Sequence, residues 1–287
     1  MTIPLGVQVA FAHAALEHVA ERNRVDLLHI KGAALDPSLS APSRTGSDAD
    51  VMVRPSQLDR LVAALIEHRW SIHTHFATGS PFGHALTMVH PEWGYADLHR
   101  FFPGITLDPE AAFTRLWADR SSRAIAEISC PVPDLTAQRL LLTLNAARNG
   151  IHGADDLRRA WFDASADQRA AVRARAAELD AEVGLAAAIG ELELYRNHRS
   201  YRLWRVTTQG GTRSEEWMAR VIAARSPGDA LRVAIRAPRV NTEQLALRLG
   251  RQPTRREVAT EFSTRAAQGL REALGHLRRW TTARRSR

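Results

Sequence analysis

The sequence predicts an α+β protein, with an N-terminal mixed sheet and its helices followed by a mainly helical region. Three observations carry this expectation. Between residues 25 and 102, short apolar segments of strand length alternate with turns rich in Gly, Pro and Ser. Helical patterns at 5–22 and after Pro55 precede and interrupt those segments. From residue 135 onward the apolar positions recur mainly at helical spacing. A chain of 287 residues can bury a substantial core. The boundary is expected near 125, giving domains over 1–125 and 126–287.

Residues 5–22 read as an amphipathic helix. VDLLHI (25–30) is a short strand, and KGAAL turns from it into a short helix. DPSLSAPSRTGS (36–47) is a loop by composition, and DADVMV (48–53) is the next strand. Pro55-Ser56 opens a helix with Leu58, Leu61, Val62, Leu65 and Ile66 on one face. Trp70 to Thr78 is a strand, TGSPFG a turn, and HALTMVHP (84–91) and GYADLHRFF (94–102) two further strands. LTAQRLLLTLNAARNG (135–150) is an apolar helix closed by Asn149-Gly150. Helical patterns continue to about Arg205. TTQGGTRS (207–214) is a linker, and helices follow in EEWMARVIAA, PGDALRVAIRA and 256–281.

Composition narrows the class. The single cysteine, Cys130, rules out an internal disulfide and fits a reducing cytoplasm. The first residues lack the basic-then-apolar pattern of a signal peptide, and no apolar run reaches the ~18 residues of a membrane span. A cytoplasmic protein with no membrane partner is therefore expected. The net charge of +8 is uneven. Residues 1–150 hold 13 Lys/Arg against 15 Asp/Glu, and residues 151–287 hold 26 against 16. Such a basic half suits either a solvated arginine-rich surface or a polyanion such as RNA. Of the 39 Lys/Arg residues only Lys31 is lysine. A compact ammonium reaching a phosphate is one role that the broader guanidinium fills differently.

The chemistry gathers around DADVMV. Side chains alternate along a strand, so Asp48, Asp50 and Met52 share one face while Ala49, Val51 and Val53 face the core. The two carboxylates then stand about 6–7 Å apart along the backbone, within reach of one divalent ion. Asp97 and His99 repeat the spacing in YADLHR. If the two strands are neighbours, Asp97 completes a cluster of three carboxylates, which needs a cation. Oxygen ligands suit Mg²⁺ or Mn²⁺. Lys31 and Gly32 at a strand-to-helix turn offer an ammonium and backbone N–H groups to phosphates, and Ser47 a hydroxyl. Taken singly, an Asp-x-Asp is common in loops, His99 is an ordinary packed histidine, and Arg44 a loop cation. Their order along the chain is what points to a site.

These motifs resemble the nucleotidyltransferases of the DNA polymerase beta superfamily. More narrowly, they resemble an uncharacterised bacterial nucleotidyltransferase family with a Leu-Lys-Gly-x-x-Leu stretch, an Arg-x-x-x-Asp-x-Asp segment and a later Val-Asp-Leu-His strand. Here these stand as HIKGAAL, RTGSDADVMVRP and YADLHR. The likeness covers residues 25–102 and extends loosely to 165. It implies that Asp48 and Asp50 bind both metal ions. Asp97 would bind the catalytic ion and help deprotonate the acceptor. Gly32, Ala33 and Ser47 would lie near the triphosphate, Lys31 and Arg44 would be its basic contacts, and His99 would stand beside the site. The pair Gly32-Ala33 departs from the superfamily's Gly-Ser or Gly-Gly, and Asn145 stands where the family often carries His.

The resemblance implies a metal-dependent nucleotidyltransferase moving a nucleoside monophosphate from an NTP, with ATP the expected donor. Residues 1–125 would be the catalytic domain and 126–287 an acceptor-binding or structural one. The acceptor is left open between RNA such as tRNA, a biosynthetic peptide or protein, and a small molecule. A kinase on the same scaffold and a catalytically retired binding module are the alternatives.

Overall fold

The computed structural model describes residues 3–40, 46–76, 83–224, 226–236 and 253–264, with isolated positions 245, 249, 251 and 267. It is an α+β structure. Helix α1 (Leu5–Arg22) leads into β1 (Leu27–His29), a single 3₁₀ turn at Gly32–Ala34, and β2 (Asp48–Val53). After a 3₁₀ turn begun by Pro55 come α2 (Leu58–Glu67), β3 (Ser71–Thr74), β4 (Ala85–His90) and β5 (Gly94–His99). The five strands form one mixed sheet in the order β1-β2-β5-β4-β3, in which β2 and β5 run parallel and the other neighbours antiparallel.

Strand alternation gives the sheet two different faces. Ala49, Val51 and Val53 of β2, Ala96 and Leu98 of β5, and Leu86 and Met88 of β4 pack with α1 (Ala12, Leu16, Val19) and α2 (Leu61, Leu65). On the other face, Leu28 and Met52 join Phe102 and helices that follow the sheet. These are α3 (Pro109–Ala118), α4 (Leu135–Asn149), α5 (Ala154–Leu157), α6 (Ala166–Glu178) and α7 (Glu182–Ile189). A π-helical segment, Arg158–Phe162, carries Trp161 into the same core. α4 is buried nearly all round, and Gly150 ends it at φ 54°, a conformation that favours glycine.

The expected boundary at 125/126 falls in the turn of a hairpin, β6 (Ser121–Ile125) with β7 (Ile128–Val132). The compact units instead divide between Glu191 and Leu192. The physical reason is the shared core: α4, α6 and α7 bury their apolar residues with sheet residues Leu28 and Met52. The second unit contains α8 (Tyr201–Gln209), α9 (Arg213–Ala223) and α10 (Pro227–Arg236), with 255–264 also helical. The linker expected at 207–214 is shorter, because α8 runs to Gln209 and Thr212 caps α9 in a capping box with Glu215. The rest of the helix expected over 256–281 lies largely outside the described residues, as does most of the TGSPFG turn. The division also separates charge. Residues 1–191 hold 18 Lys/Arg against 23 Asp/Glu, a balance of −5, and residues 192–287 hold 21 against 8, a balance of +13. Among the described residues no helix is long and apolar enough to cross a membrane.

Candidate functional site

The parallel pairing of β2 with β5 sets Asp50 directly beside Asp97, Asp48 beside Tyr95 and Met52 beside His99. Because Ala49, Val51, Ala96 and Leu98 fill the α1/α2 core, the acidic side chains emerge together on the opposite face. One ligand atom from each of Asp50, Asp97 and His99 lies within 4.8 Å of the others. Asp48 stands one pleat further along β2. The convergent set thus gains His99, which the sequence put only beside the site.

Asp50 is the hub. Its Oδ1 accepts from Lys31 Nζ at 2.7 Å and from His99 Nε2 at 2.8 Å. Lys31, expected to reach phosphates, is here the counter-ion of a buried carboxylate. Thr87 of β4 donates its hydroxyl to Asp97 Oδ1 at 2.7 Å. Ser47 donates to Asp48 Oδ1 at 3.1 Å.

The turn that delivers Lys31 is set by its backbone. Lys31 is extended, and Gly32 follows at φ 57°, where an L side chain is strained even though a Cβ there would meet open space. A Cβ at Gly46 would lie 3.8 Å from Gly32 Cα, so the segment leading to Asp48 passes close over this turn. From the β6–β7 hairpin, Arg123 Nε donates to the Ala33 carbonyl at 3.0 Å and braces the turn from outside. Arg44 lies outside the described residues.

The carboxylates are not equivalent. Burial opposes charge on Asp50, yet Lys31 and the hydrogen bond from His99 hold it well below the usual carboxylate range. Burial, then the charge of Asp50, pushes Asp97 up to about 6. The same two causes raise Asp48. Burial and the nearby Lys31 push His99 down to about 4, so its ring is neutral at pH 7. Asp50 can only accept, so His99 Nε2 carries the proton and donates it. His99 Nδ1 is buried and has no hydrogen-bond partner. A divalent cation fits this donor set: two carboxylates held above their ordinary pKa by burial and then by the charge of Asp50 are relieved by positive charge, and oxygen donors with one imidazole suit Mn²⁺ or Mg²⁺.

Three further residues surround the hub. The His84 ring centroid lies 5.0 Å from that of His99. Phe102 stacks on His99 at 6.2 Å. Arg148, at the end of α4, places its guanidinium 5.5 Å from the centre of the Phe102 ring. Nothing in the local sequence marks Arg148, which is one arginine among 38. Its place two residues before the Gly150 helix end was the available signal.

No family model matches the chain, and no curated protein matches it. Solved structures that resemble part of it include two antibiotic-modifying proteins. One is a lincosamide antibiotic adenylyltransferase, LnuA, bound to lincomycin, with 17% identity over 56% of this chain and 92% of that one, at a TM-score of 0.34. The other is the antibiotic-resistance factor ANT(2'')-Ia, with 14% identity over 66% of this chain and 95% of that one, at a TM-score of 0.38. Both overlaps are low, and the chemistry rests on the side chains described above.

Proposed function

We propose that the protein is a metal-dependent nucleotidyltransferase, moving a nucleoside monophosphate from an NTP to an acceptor hydroxyl or phosphate. The observation that carries this reading is the register that sets Asp50 beside Asp97, with Asp48 two residues earlier on the same face. In this reading Asp48, Asp50 and Asp97 hold Mg²⁺ or Mn²⁺, with His99 orienting Asp50 through its Nε2–H. When bound, the metal supplies Lewis-acid polarisation of the phosphate and lowers the pKa of the attacking hydroxyl. Asp97, beside the ion, would accept the acceptor's proton. The acceptor oxygen bonds to the α-phosphorus, the bond from that phosphorus to the diphosphate oxygen breaks, and diphosphate leaves. With a cation on Asp50, Lys31 would be available to meet the phosphates, together with the N–H groups of Gly32 and Ala33, the Ser47 hydroxyl and Arg44. ATP is the donor we favour, and the reaction belongs in the cytoplasm.

For the acceptor, the +13 of residues 192–287 favours an anionic molecule such as RNA over a neutral peptide or small molecule. The test is incubation of purified protein with each NTP, Mg²⁺ or Mn²⁺ and host-cell extract, followed by mass identification of the labelled product. A gain of one nucleoside monophosphate supports the reading. A gain of phosphate alone makes the protein a kinase, and no product with any NTP and either ion makes it a binding module.

A further inference from the structure

Around the Phe102 ring two cations meet from different parts of the chain. Lys31 Nζ stands 6.0 Å from the ring centre and the Arg148 guanidinium 5.5 Å. Phe102 is fully buried, and His99, which bonds Asp50, stacks on it at 6.2 Å. Arg148 Nη2 donates to the Oδ1 of buried Asn145, one turn earlier on α4, which fixes the plane of the guanidinium. The arrangement holds two positive groups of different shape on one rigid aromatic support beside a carboxylate cluster.

We propose that Arg148 is a specificity-determining residue of the donor site, gripping the β- and γ-phosphates that depart as diphosphate. The inference rests on the nucleotidyl-transfer reading. A lysine offers a point charge, whereas a guanidinium offers parallel N–H donors that fit two phosphate oxygens at once. Charge builds on the diphosphate as its bond to the α-phosphorus breaks, so a pre-positioned cation there acts most strongly as the bond cleaves. The burial of Arg148 brings its pKa down to about 10, which leaves it charged at neutral pH. Arg148 thereby sets the site to prefer triphosphates over monophosphates.

The experiment is calorimetric titration of the full-length protein with Mg²⁺ plus ATP, AMP or inorganic diphosphate, for wild type, Arg148→Ala, Arg148→Lys and Arg148→Gln. Arg148→Ala is expected to weaken ATP and diphosphate at least about tenfold while AMP changes less than about twofold, with Arg148→Lys intermediate. Equal ATP affinity in wild type and Arg148→Ala overturns the inference. So does an equal loss for AMP and ATP, the mark of a structural role. Should Arg148→Ala not fold, the Gln and Lys variants carry the same comparison. A wild-type protein that binds neither ATP nor diphosphate sinks the nucleotidyl-transfer reading itself, a separate outcome from a wild type that binds both and a variant that matches it.

Discussion

The two faces of the central sheet are built from the same two strands and obey different physics. On one face Ala49, Val51, Ala96 and Leu98 are wholly buried against α1 and α2, and their contribution is area removed from water. On the other face, their sequence neighbours Asp48, Asp50 and Asp97 sit close enough to raise two of the three pKa values. Burial of these groups, and then the charge of Asp50, works against the fold. One residue's shift along a strand therefore moves from a position where substitution changes stability to one where it changes chemistry. Four predictions test how cleanly the two faces separate.

The largest effect belongs to Asp50. In Asp50→Asn, nucleotidyl transfer is expected to fall by at least ~10³-fold, equivalent to ~4 kcal/mol. The far-ultraviolet circular dichroism should stay that of wild type. A variant with near-normal turnover would remove Asp50 from the chemistry. On the opposite face, Leu98→Ala is expected to cost about 2–5 kcal/mol in urea denaturation. Its Mn²⁺ affinity should stay within a fewfold of wild type at a temperature where it remains folded. A large loss of metal binding by the folded variant would show that the faces are coupled.

Asp97 links the two behaviours through pH. Its folded pKa of about 6 lies above the ordinary value of 3.8, so between those limits the folded state holds a proton that the unfolded chain releases. Metal-free stability should therefore fall as pH rises through this window. Asp97→Asn, without metal, should be more stable than wild type at pH 8 by on the order of 1–3 kcal/mol, with the difference gone below about pH 4. A constant difference across that range would refute the assignment.

The last prediction probes an exception within the apolar face. His29 on β1 bonds His13 at 2.8 Å and Glu17 at 3.0 Å, both on α1, in a buried polar chain. Burial lowers both rings to about 3, keeping them neutral, and burial followed by Glu21 raises Glu17 to about 8. Glu17→Gln should then be more stable than wild type above pH 8 by on the order of 3–5 kcal/mol, with no gain below pH 4.5, read from melting curves. A gain independent of pH would assign the effect to packing instead.

Much of this was legible in the sequence, for physical reasons that can be named. DADVMV is a strand with the expected facing because a period of two admits only one way to bury Ala49, Val51 and Val53. Helix 5–22 ran as expected, as did the helix ended by Asn149-Gly150. The β6–β7 hairpin was invisible because its turn, Ala126-Glu127, takes positive φ at both positions without Gly or Asn to announce it. The helix α3 went unmarked although Asp108 caps it and Pro109 opens it. Within the site, spacing revealed which residues share a face, but neighbouring strands had to be assumed. The Lys31–Asp50 pair, the entry of His99 and the approach of Arg148 depend on how separate segments meet, which no local pattern encodes.

Asp50 and Asp97 come from strands that are remote in the chain and adjacent only when β2 and β5 align in register. A slip of one residue would set Asp50 beside Ala96 or Leu98, whose side chains point to the other layer. If the proposed ion binds there, its affinity would report on assembly, because only correctly registered molecules bring both carboxylates to it.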